Sequence, residues 1–235
     1  MAPVALRQAA QLRRDVVRLP EAHGPRDGLV GSVAARGTAR PLRLLVVGDS
    51  TAVGTGVATL DDAIPGRLAR LLAGTPAGAH GVAWRAVGRA GATSSEVLND
   101  FGAAAVAAHF DLAVVLVGWN DALQLASNRT LAHSLGALLD RLRDGSPEAR
   151  LVVVGPPRFA VFGILPNPLR WALGRHAAGL ARASARVAHA HGAVVAPGFA
   201  PHPDEHELAA DRFHPNGPGY QRLAEGVVAA WAAPR

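Results

Sequence analysis

Short apolar runs alternate with longer amphipathic stretches along the chain from residue 42 onward. The runs are four to seven residues long and rich in valine and leucine, whereas the stretches between them repeat apolar residues at helical spacing. This pattern predicts strands at 42–47, 83–87, 111–117, 150–154 and 193–196, and helices at 61–73, 95–107, 130–143, 171–190 and 218–232. Strands that alternate with helices form a parallel sheet covered on both faces, so we expect a single α/β domain over 42–235.

The first 41 residues follow a different pattern. Residues 4–19 predict a short amphipathic helix, with apolar residues near one face and arginines elsewhere. This helix either packs on the back of the domain or attaches the chain to a membrane surface, and we favour packing. A segment rich in glycine and proline follows through Arg40-Pro41, and we expect it to be a loop. We therefore treat 1–41 as an N-terminal extension.

The composition narrows the possible chemistry. A chain of 235 residues with 49% hydrophobic content can bury one substantial core. The absence of cysteine excludes disulfides, thiolate catalysis and cysteine-ligated metals. No apolar run is long enough to cross a membrane, and arginines from Arg7 onward interrupt the layout of a signal peptide. We therefore expect a cytoplasmic protein.

The net charge of +6 raises the question of nucleic-acid binding. Its distribution argues against that function, because residues 1–43 contain eight arginines and three acidic residues and the remainder is close to neutral. The chain also contains no lysine. We expect no nucleic-acid partner.

Glycine-bearing turns follow four of the predicted strands, where ligands bind in sheets of this kind. They are Gly48-Asp49-Ser50, Gly88-Arg89-Ala90-Gly91, Gly118-Trp119-Asn120-Asp121 and Gly155-Pro156-Pro157. The first turn does not fit a phosphate loop, since Gly48 and Gly54 are separated by five residues and no lysine follows. A dinucleotide fingerprint starting at Gly54 would need its third glycine at Thr59. Both kinds of phosphate site are excluded.

Ser50 is a candidate nucleophile at the end of the first strand. A serine hydroxyl needs a base, a group that orients the base, and donors for the oxyanion. Asp211 and His214 lie three residues apart before a turn, so the carboxylate can accept the imidazole Nδ1–H and leave Nε2 to accept the serine proton. The sequence therefore predicts a group of Ser50, His214 and Asp211.

Donors for an oxyanion are available at the other strand ends. The candidates are the backbone N–H of Ser50, that of Gly91 and the side-chain amide of Asn120. Gly88 competes with Gly91 for the second position, and the residues alone leave both candidates open. We expect Asp49 and Asp121 to hold their loops by hydrogen bonds.

Metal and cofactor sites are not predicted. His202 and His206 have the i, i+4 spacing of helical metal ligands, but Pro203 lies between them and opposes a helix. We therefore expect no metal and no cofactor.

The four blocks together resemble the SGNH-hydrolase superfamily, the GDSL-type esterases and lipases. Gly48-Asp49-Ser50-Thr51 matches the nucleophile block, with threonine where the namesake motif has leucine. Gly91, Gly118-Trp119-Asn120-Asp121 and Asp211-Arg212-Phe213-His214 match the remaining blocks, and the resemblance covers about 42–232. The chain lacks the Gly-x-Ser-x-Gly turn of α/β-hydrolases around this serine.

The resemblance implies a fold and a mechanism. The fold is a flavodoxin-like, three-layer α/β/α sandwich with about five parallel strands. The reaction is metal-independent hydrolysis of carboxylic esters through an acyl-serine intermediate. Ser50 would be the nucleophile, His214 the base and Asp211 its orienting partner. Ser50, Gly91 and Asn120 would form the oxyanion hole.

An apolar segment after the fourth strand bears on the substrate. Residues 158–173 contain Phe159, Phe162 and Leu165, and form either an acyl-binding wall or lid, or a second packing segment; Trp119 borders the same pocket or packs in the core. We expect a small or lipid-like ester with a short- to medium-chain acyl group. Thioesters and acetylated sugars remain alternatives, as does a non-catalytic α/β domain that binds a ligand.

Overall fold

A six-stranded sheet forms the centre of the protein. The structure is a computed structural model that describes residues 4, 7, 8, 11, 14, 17, 19–31, 40–156, 159, 162, 164–198 and 205–233. The strands are β1 (Asp27–Val30), β2 (Leu42–Gly48), β3 (Val82–Gly88), β4 (Leu112–Leu116), β5 (Arg150–Val154) and β6 (Val194–Ala196).

The order of the strands is β1-β3-β2-β4-β5-β6. Strands β2 to β6 are parallel, and β1 pairs with β3 in the antiparallel direction, from Asp27 opposite Arg85 to Val30 opposite Val82. The five parallel strands thus have the flavodoxin-like order, with the first strand between the second and the third. The chain passes from β2 to β3 on one side, then crosses back to β4 on the other side and continues to β5 and β6. This reversal places the ligand-binding crevice between β2 and β4, at their carboxyl ends.

Helices cover both faces of the sheet. They are α1 (Ile64–Ala73), α2 (Ser94–Glu96), α3 (Gly102–Ala105), α4 (Trp119–Leu123), α5 (Asn128–Gly145), α6 (Leu169–Ala190) and α7 (Gly217–Ala232). A π-helix, Val97–Phe101, separates α2 from α3, and 3₁₀ turns occupy Pro76–Gly78 and Glu205–Glu207.

Two hydrophobic cores lie on opposite sides of the sheet because successive side chains of a strand point to opposite faces. Leu44 and Val46 of β2 belong to the core under α1 and α7, whereas Leu45 and Val47 belong to the core under α5 and α6. All four side chains are buried. The arrangement confirms the predicted three-layer α/β/α sandwich.

The structure corrects several predicted elements. The expected loop before residue 41 contains β1, an antiparallel strand that adds a sixth strand to the five predicted parallel ones. The predicted helix 95–107 is divided by the π-helix, and α4 was not predicted because five residues are too few to show helical periodicity. The other predicted strands and helices occur, with ends that differ by at most three residues.

Most of the predicted helix 4–19 lies outside the described residues. Among the described residues of this range, 4, 7, 8, 11 and 14 are helical, whereas 17 and 19 are not. Within the described part of the chain, no helix combines the length and apolar character needed to span a membrane.

Candidate active site

Ser50 lies in the turn that follows β2, at the crevice between β2 and β4. The Asp49 N–H donates to the carbonyl of Leu116 at 3.1 Å, which continues the pairing with β4 one residue beyond β2. The chain then turns, and the Thr55 N–H donates to the Ser50 carbonyl at 3.0 Å. Ser50 is thereby placed above the end of the sheet and is only 5% exposed.

The structure brings the predicted nucleophile and base together. His214 Nε2 lies 2.9 Å from Ser50 Oγ, although the two residues are 164 positions apart. On the other side of the ring, His214 Nδ1 lies 2.5 Å from Asp211 Oδ2. The contacts form a continuous line from carboxylate to imidazole to hydroxyl, in the order that the sequence predicts.

Asp211 is fixed on both of its oxygens. Oδ1 accepts the backbone N–H groups of Phe213 and His214, each at 3.0 Å, while Oδ2 faces the imidazole. Burial alone would raise the pKa of Asp211, but the hydrogen bond and charge of His214, together with the two backbone donors, hold this pKa below its ordinary value. Asp211 is therefore an acceptor that keeps the proton of its partner on Nδ1.

The segment that carries His214 is held by its own backbone and by α7. The Ala209 N–H donates to the His214 carbonyl at 2.8 Å. Asn216 caps α7 by accepting the Gly219 N–H at 3.2 Å, and its amide donates to the Leu208 carbonyl at 3.1 Å. The same asparagine thus begins the helix and closes the histidine loop.

Two residues that the sequence analysis missed connect the serine turn to the histidine segment. A Cβ on Gly56, whose φ is +106°, would lie 2.3 Å from the Pro215 carbonyl oxygen and 3.3 Å from His214 Cβ. Tyr220 of α7 is fully buried and donates its hydroxyl to the Thr55 carbonyl at 2.8 Å. Burial, and then the nearby carboxylates, raise the pKa of Tyr220 well above its usual range, so the phenol stays protonated.

Gly88 and Gly91 occupy different environments, which separates the two candidates for the second donor. Gly88 is paired with Gly48 inside the sheet, where an added Cβ would lie 1.9 Å from the Gly48 carbonyl oxygen. Gly91 is exposed in the following turn, has a φ of +81° and has no atom within 4 Å of an added Cβ. Gly88 is thus required for the approach of β2 and β3, and Gly91 lies where a ligand can reach it.

Three predicted donors remain available at this edge of the sheet. In the described part of the chain, neither the Ser50 N–H nor the Gly91 N–H donates a hydrogen bond. Asn120, at the start of α4, donates from Nδ2 to the Ala92 carbonyl at 3.0 Å, which leaves its second amide hydrogen available.

Asp49 and Asp121 hold loops by hydrogen bonds, as the sequence analysis expects. Asp121 is fully buried and accepts the N–H and the hydroxyl of Ser94, at 2.9 and 2.5 Å. Asp49 accepts the Thr51 N–H at 3.0 Å. Burial raises the pKa of Asp49 to about 6, although the hydrogen bonds of Thr51 and the charge of His214 act in the opposite direction.

Comparison with known proteins agrees with this arrangement. The sequence model of the GDSL-like lipase/acylhydrolase family matches residues 46–222, which include the serine turn, Asn120 and the Asp211–His214 pair. The chain belongs to this family. The GDSL-like esterase Rv1075c of Mycobacterium tuberculosis (strain ATCC 25618 / H37Rv) is 34% identical over 194 residues, which are 78% of this chain. The chain spans 60% of the length of that relative.

Two solved structures have the same fold as this chain. A crystal structure of TesA has a TM-score of 0.63 and 22% identity, and covers 81% of this chain and 98% of its own. Phospholipase A1 from Streptomyces albidoflavus NA297 has a TM-score of 0.59 and 21% identity, over 82% of this chain and all of its own.

The aromatic residues predicted to contact substrate form a cluster beside the family blocks. Trp119 stacks on Phe159 with ring centroids 4.7 Å apart, and Phe162 packs edge-on against Trp119 and also contacts Phe213. Phe159, Phe162 and Leu165 are at most 1% exposed. Their burial favours the packing alternative over an open acyl wall, and the cluster supports the segment that carries His214.

Among the described residues, no three histidine or acidic side chains are grouped as metal ligands would be. His202, one of the two histidines considered above as metal ligands, lies outside the described residues.

Proposed function

We propose that this protein is a serine esterase that hydrolyses carboxylic esters through an acyl-serine intermediate. One observation carries the proposal: Ser50 Oγ lies 2.9 Å from His214 Nε2, whose ring is oriented by Asp211 from the opposite side. A serine proton can move directly to an imidazole at this distance. The name of the mycobacterial esterase, a relative of this chain, agrees with the activity.

Acylation follows from the contacts. Ser50 Oγ attacks the ester carbonyl carbon as its proton passes to His214 Nε2, and Asp211 stabilises the imidazolium that results. The carbonyl oxygen becomes an oxyanion that accepts hydrogen bonds from the Ser50 N–H, the Gly91 N–H and the Asn120 amide. When the tetrahedral intermediate collapses, the bond to the alcohol oxygen breaks and this oxygen takes the proton from His214.

Deacylation repeats the sequence with water. His214 Nε2 accepts a proton from a water molecule, whose oxygen attacks the acyl carbon, and the same donors stabilise the second oxyanion. Collapse of this intermediate returns the proton to Ser50 Oγ and releases a carboxylic acid. The net reaction consumes one ester and one water and yields one acid and one alcohol.

The space available for the acyl group supports a short- to medium-chain substrate. A cavity of about 640 Å³ lies along α6, and Pro156, Phe159 and Trp171 contribute to its wall. Pro156 also borders the small pocket beside Asp49 and Thr51. Trp171 is 57% exposed and can be replaced without opening the core. Trp171→Ala should lower kcat/KM for an octanoyl ester more than for an acetyl ester, and equal losses would contradict an acyl site here.

Hydrolysis of p-nitrophenyl acetate and octanoate tests the proposed activity. We expect the parent to be active and Ser50→Ala to lose at least about 10³-fold in kcat. Ser134→Ala is the matched control, because Ser134 is also buried and hydrogen-bonded, to Ser95 in its case, but lies in α5 away from the site. A fluorophosphonate should add its phosphonyl mass to the parent and the control only. Retained hydrolysis in Ser50→Ala, or an inactive parent, would contradict the proposal, and the latter would favour a non-catalytic ligand-binding domain.

A further inference from the structure

A short segment before β1 contacts the two loops that carry Ser50 and Gly91. We call residues 21–26 the strap; they precede the residues that the family model matches. The Ala22 N–H donates to the Val53 carbonyl at 3.1 Å, and the His23 N–H donates to the Ala58 carbonyl at 2.8 Å. The strap is thereby attached to the turn that follows Ser50.

Two side chains of the strap bind the turn that carries Gly91. Glu21 Oε1 accepts the Ala90 N–H at 2.7 Å, and Arg26 Nη1 donates to the Gly88 carbonyl at 2.9 Å. The second nitrogen of Arg26 donates to Glu21 Oε2 at 2.5 Å. Glu21 and Arg26 therefore form one unit that binds an N–H and a C=O of the same turn.

Apart from the strap, the described residues hold the first half of this turn only through Arg89, whose N–H donates to the Gly48 carbonyl at 3.4 Å and whose exposed guanidinium pairs with Glu96 and Asp100. The Ala92 N–H donates to the Arg89 carbonyl at 3.2 Å, which makes residues 89–92 a β-turn with Gly91 at the third position and the positive φ of a type II turn. Glycine permits several conformations at this position. The turn is exposed at Arg89 and Gly91, whereas Ala92 is buried in the core, so packing fixes the end of the turn after Gly91 and contributes little before it.

The side of the turn that follows Gly91 is fixed by residues already assigned to the site. Asn120 donates to the Ala92 carbonyl, and Asp121 accepts from Ser94. Glu21 fixes the residue before Gly91. The Gly91 N–H is thus held between two anchored neighbours, one of which depends on the strap.

We propose that Glu21, itself held by Arg26, is a positioning residue that places the Gly91 N–H in the oxyanion hole. This inference rests on the proposed esterase function. Removal of an oxyanion donor costs about 10²–10³-fold in rate, and loss of Glu21 displaces the donor without removing it. We therefore expect Glu21→Ala to lower kcat by about 10-fold to 100-fold, within the limit set by complete removal of the donor. KM should change little, since the ester carbonyl in the ground state depends less on this donor than the oxyanion does.

Two further variants separate positioning from a general loss of structure. Glu21→Gln keeps an oxygen that can accept the Ala90 N–H but turns its NH₂ group toward Arg26, so it should recover only part of the activity. Arg40→Ala is the matched control, because Arg40 is an exposed arginine that pairs with Asp111 at the opposite end of the sheet. This control removes an ion pair of the same type and should leave kcat unchanged.

Affinity for an arylboronic acid gives the decisive readout. The boronate adduct of Ser50 resembles the tetrahedral intermediate, so a displaced Gly91 N–H should weaken binding in Glu21→Ala in proportion to kcat/KM. A variant in which part of the protein is irreversibly misfolded would instead have fewer active sites and the same dissociation constant. A Glu21→Ala enzyme within twofold of the parent in kcat/KM, or with unchanged boronate affinity, would overturn the inference while leaving the esterase proposal intact.

Hydrogen exchange tests the strap independently of activity. Peptides covering 88–93 should exchange faster in Glu21→Ala than in the parent, and should be unchanged in Arg40→Ala. If the parent hydrolyses no ester, the proposed function fails and this measurement still decides whether the strap orders the turn. Unchanged exchange in Glu21→Ala would overturn the inference in either case.

Discussion

Replacement of Asp211 by asparagine should reverse the protonation of His214 without disturbing its position. Asp211 Oδ1 accepts two backbone N–H groups, from Phe213 and His214, at 3.0 Å each. An asparagine must direct its oxygen to the same two donors, which turns its NH₂ group toward His214 Nδ1. The imidazole can then form a hydrogen bond with this NH₂ group only if Nδ1 is the acceptor, and its proton must lie on Nε2. In that tautomer, Nε2 cannot accept the proton of Ser50.

The size of the effect follows from the cost of restoring the active tautomer in Asp211→Asn. An N–H on Nδ1 would face the N–H of the asparagine, and two buried donors would lose their partners. Each such loss costs about 1–3 kcal/mol, or about 2–6 kcal/mol together. The side chain of Asp211 is only 2% exposed, which favours the upper part of this range. We therefore expect kcat to fall by about 10³–10⁴-fold, in line with the loss of about 10⁴ for the same change in serine protease triads.

Kinetics and imidazole NMR together check this expectation. Steady-state hydrolysis of p-nitrophenyl acetate gives kcat, and the ¹⁵N shifts of His214 report which ring nitrogen carries the proton. Asp111→Asn serves as the control, because Asp111 also accepts a backbone N–H, from Arg43, but precedes β4 at the far end of the sheet. Activity of Asp211→Asn within tenfold of the parent, or an unchanged tautomer, would refute the reasoning.

Three other substitutions test how the site is held. Gly88→Ala combines an unfavourable φ with a Cβ 1.9 Å from the Gly48 oxygen. Urea titration should therefore show that Gly88→Ala lowers the free energy of unfolding by about 1–3 kcal/mol more than Gly91→Ala does. Equal losses in the two variants would contradict the close approach of β2 and β3. Tyr220→Phe leaves the buried Thr55 carbonyl without its donor and should lower the free energy of unfolding by about 1–3 kcal/mol, whereas no loss would show that the bond contributes nothing. The pKa of Asp49 is raised from 3.8 to about 6, so the folded state binds this proton more tightly than the unfolded state does. The resulting contribution to the free energy of unfolding is lost as pH rises through about 6. Compared with Asp49→Asn, the free energy of unfolding of the parent should fall by up to about 3 kcal/mol between pH 4 and pH 7.5. If the two proteins differ in this free energy by the same amount at every pH, the effect is excluded.

The parts of the fold and site that sequence could predict are those with local signals. The core strands are short apolar runs between helical repeats, and the carboxyl ends of parallel strands meet at one edge whatever the details of packing. Asp211 and His214 are three residues apart, so their pairing needs only a turn. This is why the positions of Ser50, Asn120 and the Asp211–His214 pair could be predicted together.

The parts that could not be predicted depend on distant partners. Strand β1 is four residues long, contains Gly28 and alternates between exposed and half-buried positions, so it becomes a strand only through its pairing with β3. Glu21 contacts a residue 69 positions away and Arg26 contacts one 62 positions away. The burial of Phe159 and Phe162 likewise depends on Trp119 and Phe213, which the local pattern around residue 160 does not contain.

A common device holds the loops around the proposed oxyanion hole: a carboxylate that accepts a backbone N–H. Asp49 binds Thr51, Asp121 binds Ser94, Asp211 binds His214 and Glu21 binds Ala90. A carboxylate suits this purpose because it accepts several hydrogen bonds, donates none when ionised, and forms stronger bonds than a neutral acceptor. Loops at the end of a sheet have no neighbouring strand to take up their N–H groups, so each carboxylate replaces a missing strand partner. In the described part of the chain, the Ser50 and Gly91 N–H groups are left without an acceptor, and our proposal assigns these two groups to the substrate oxygen.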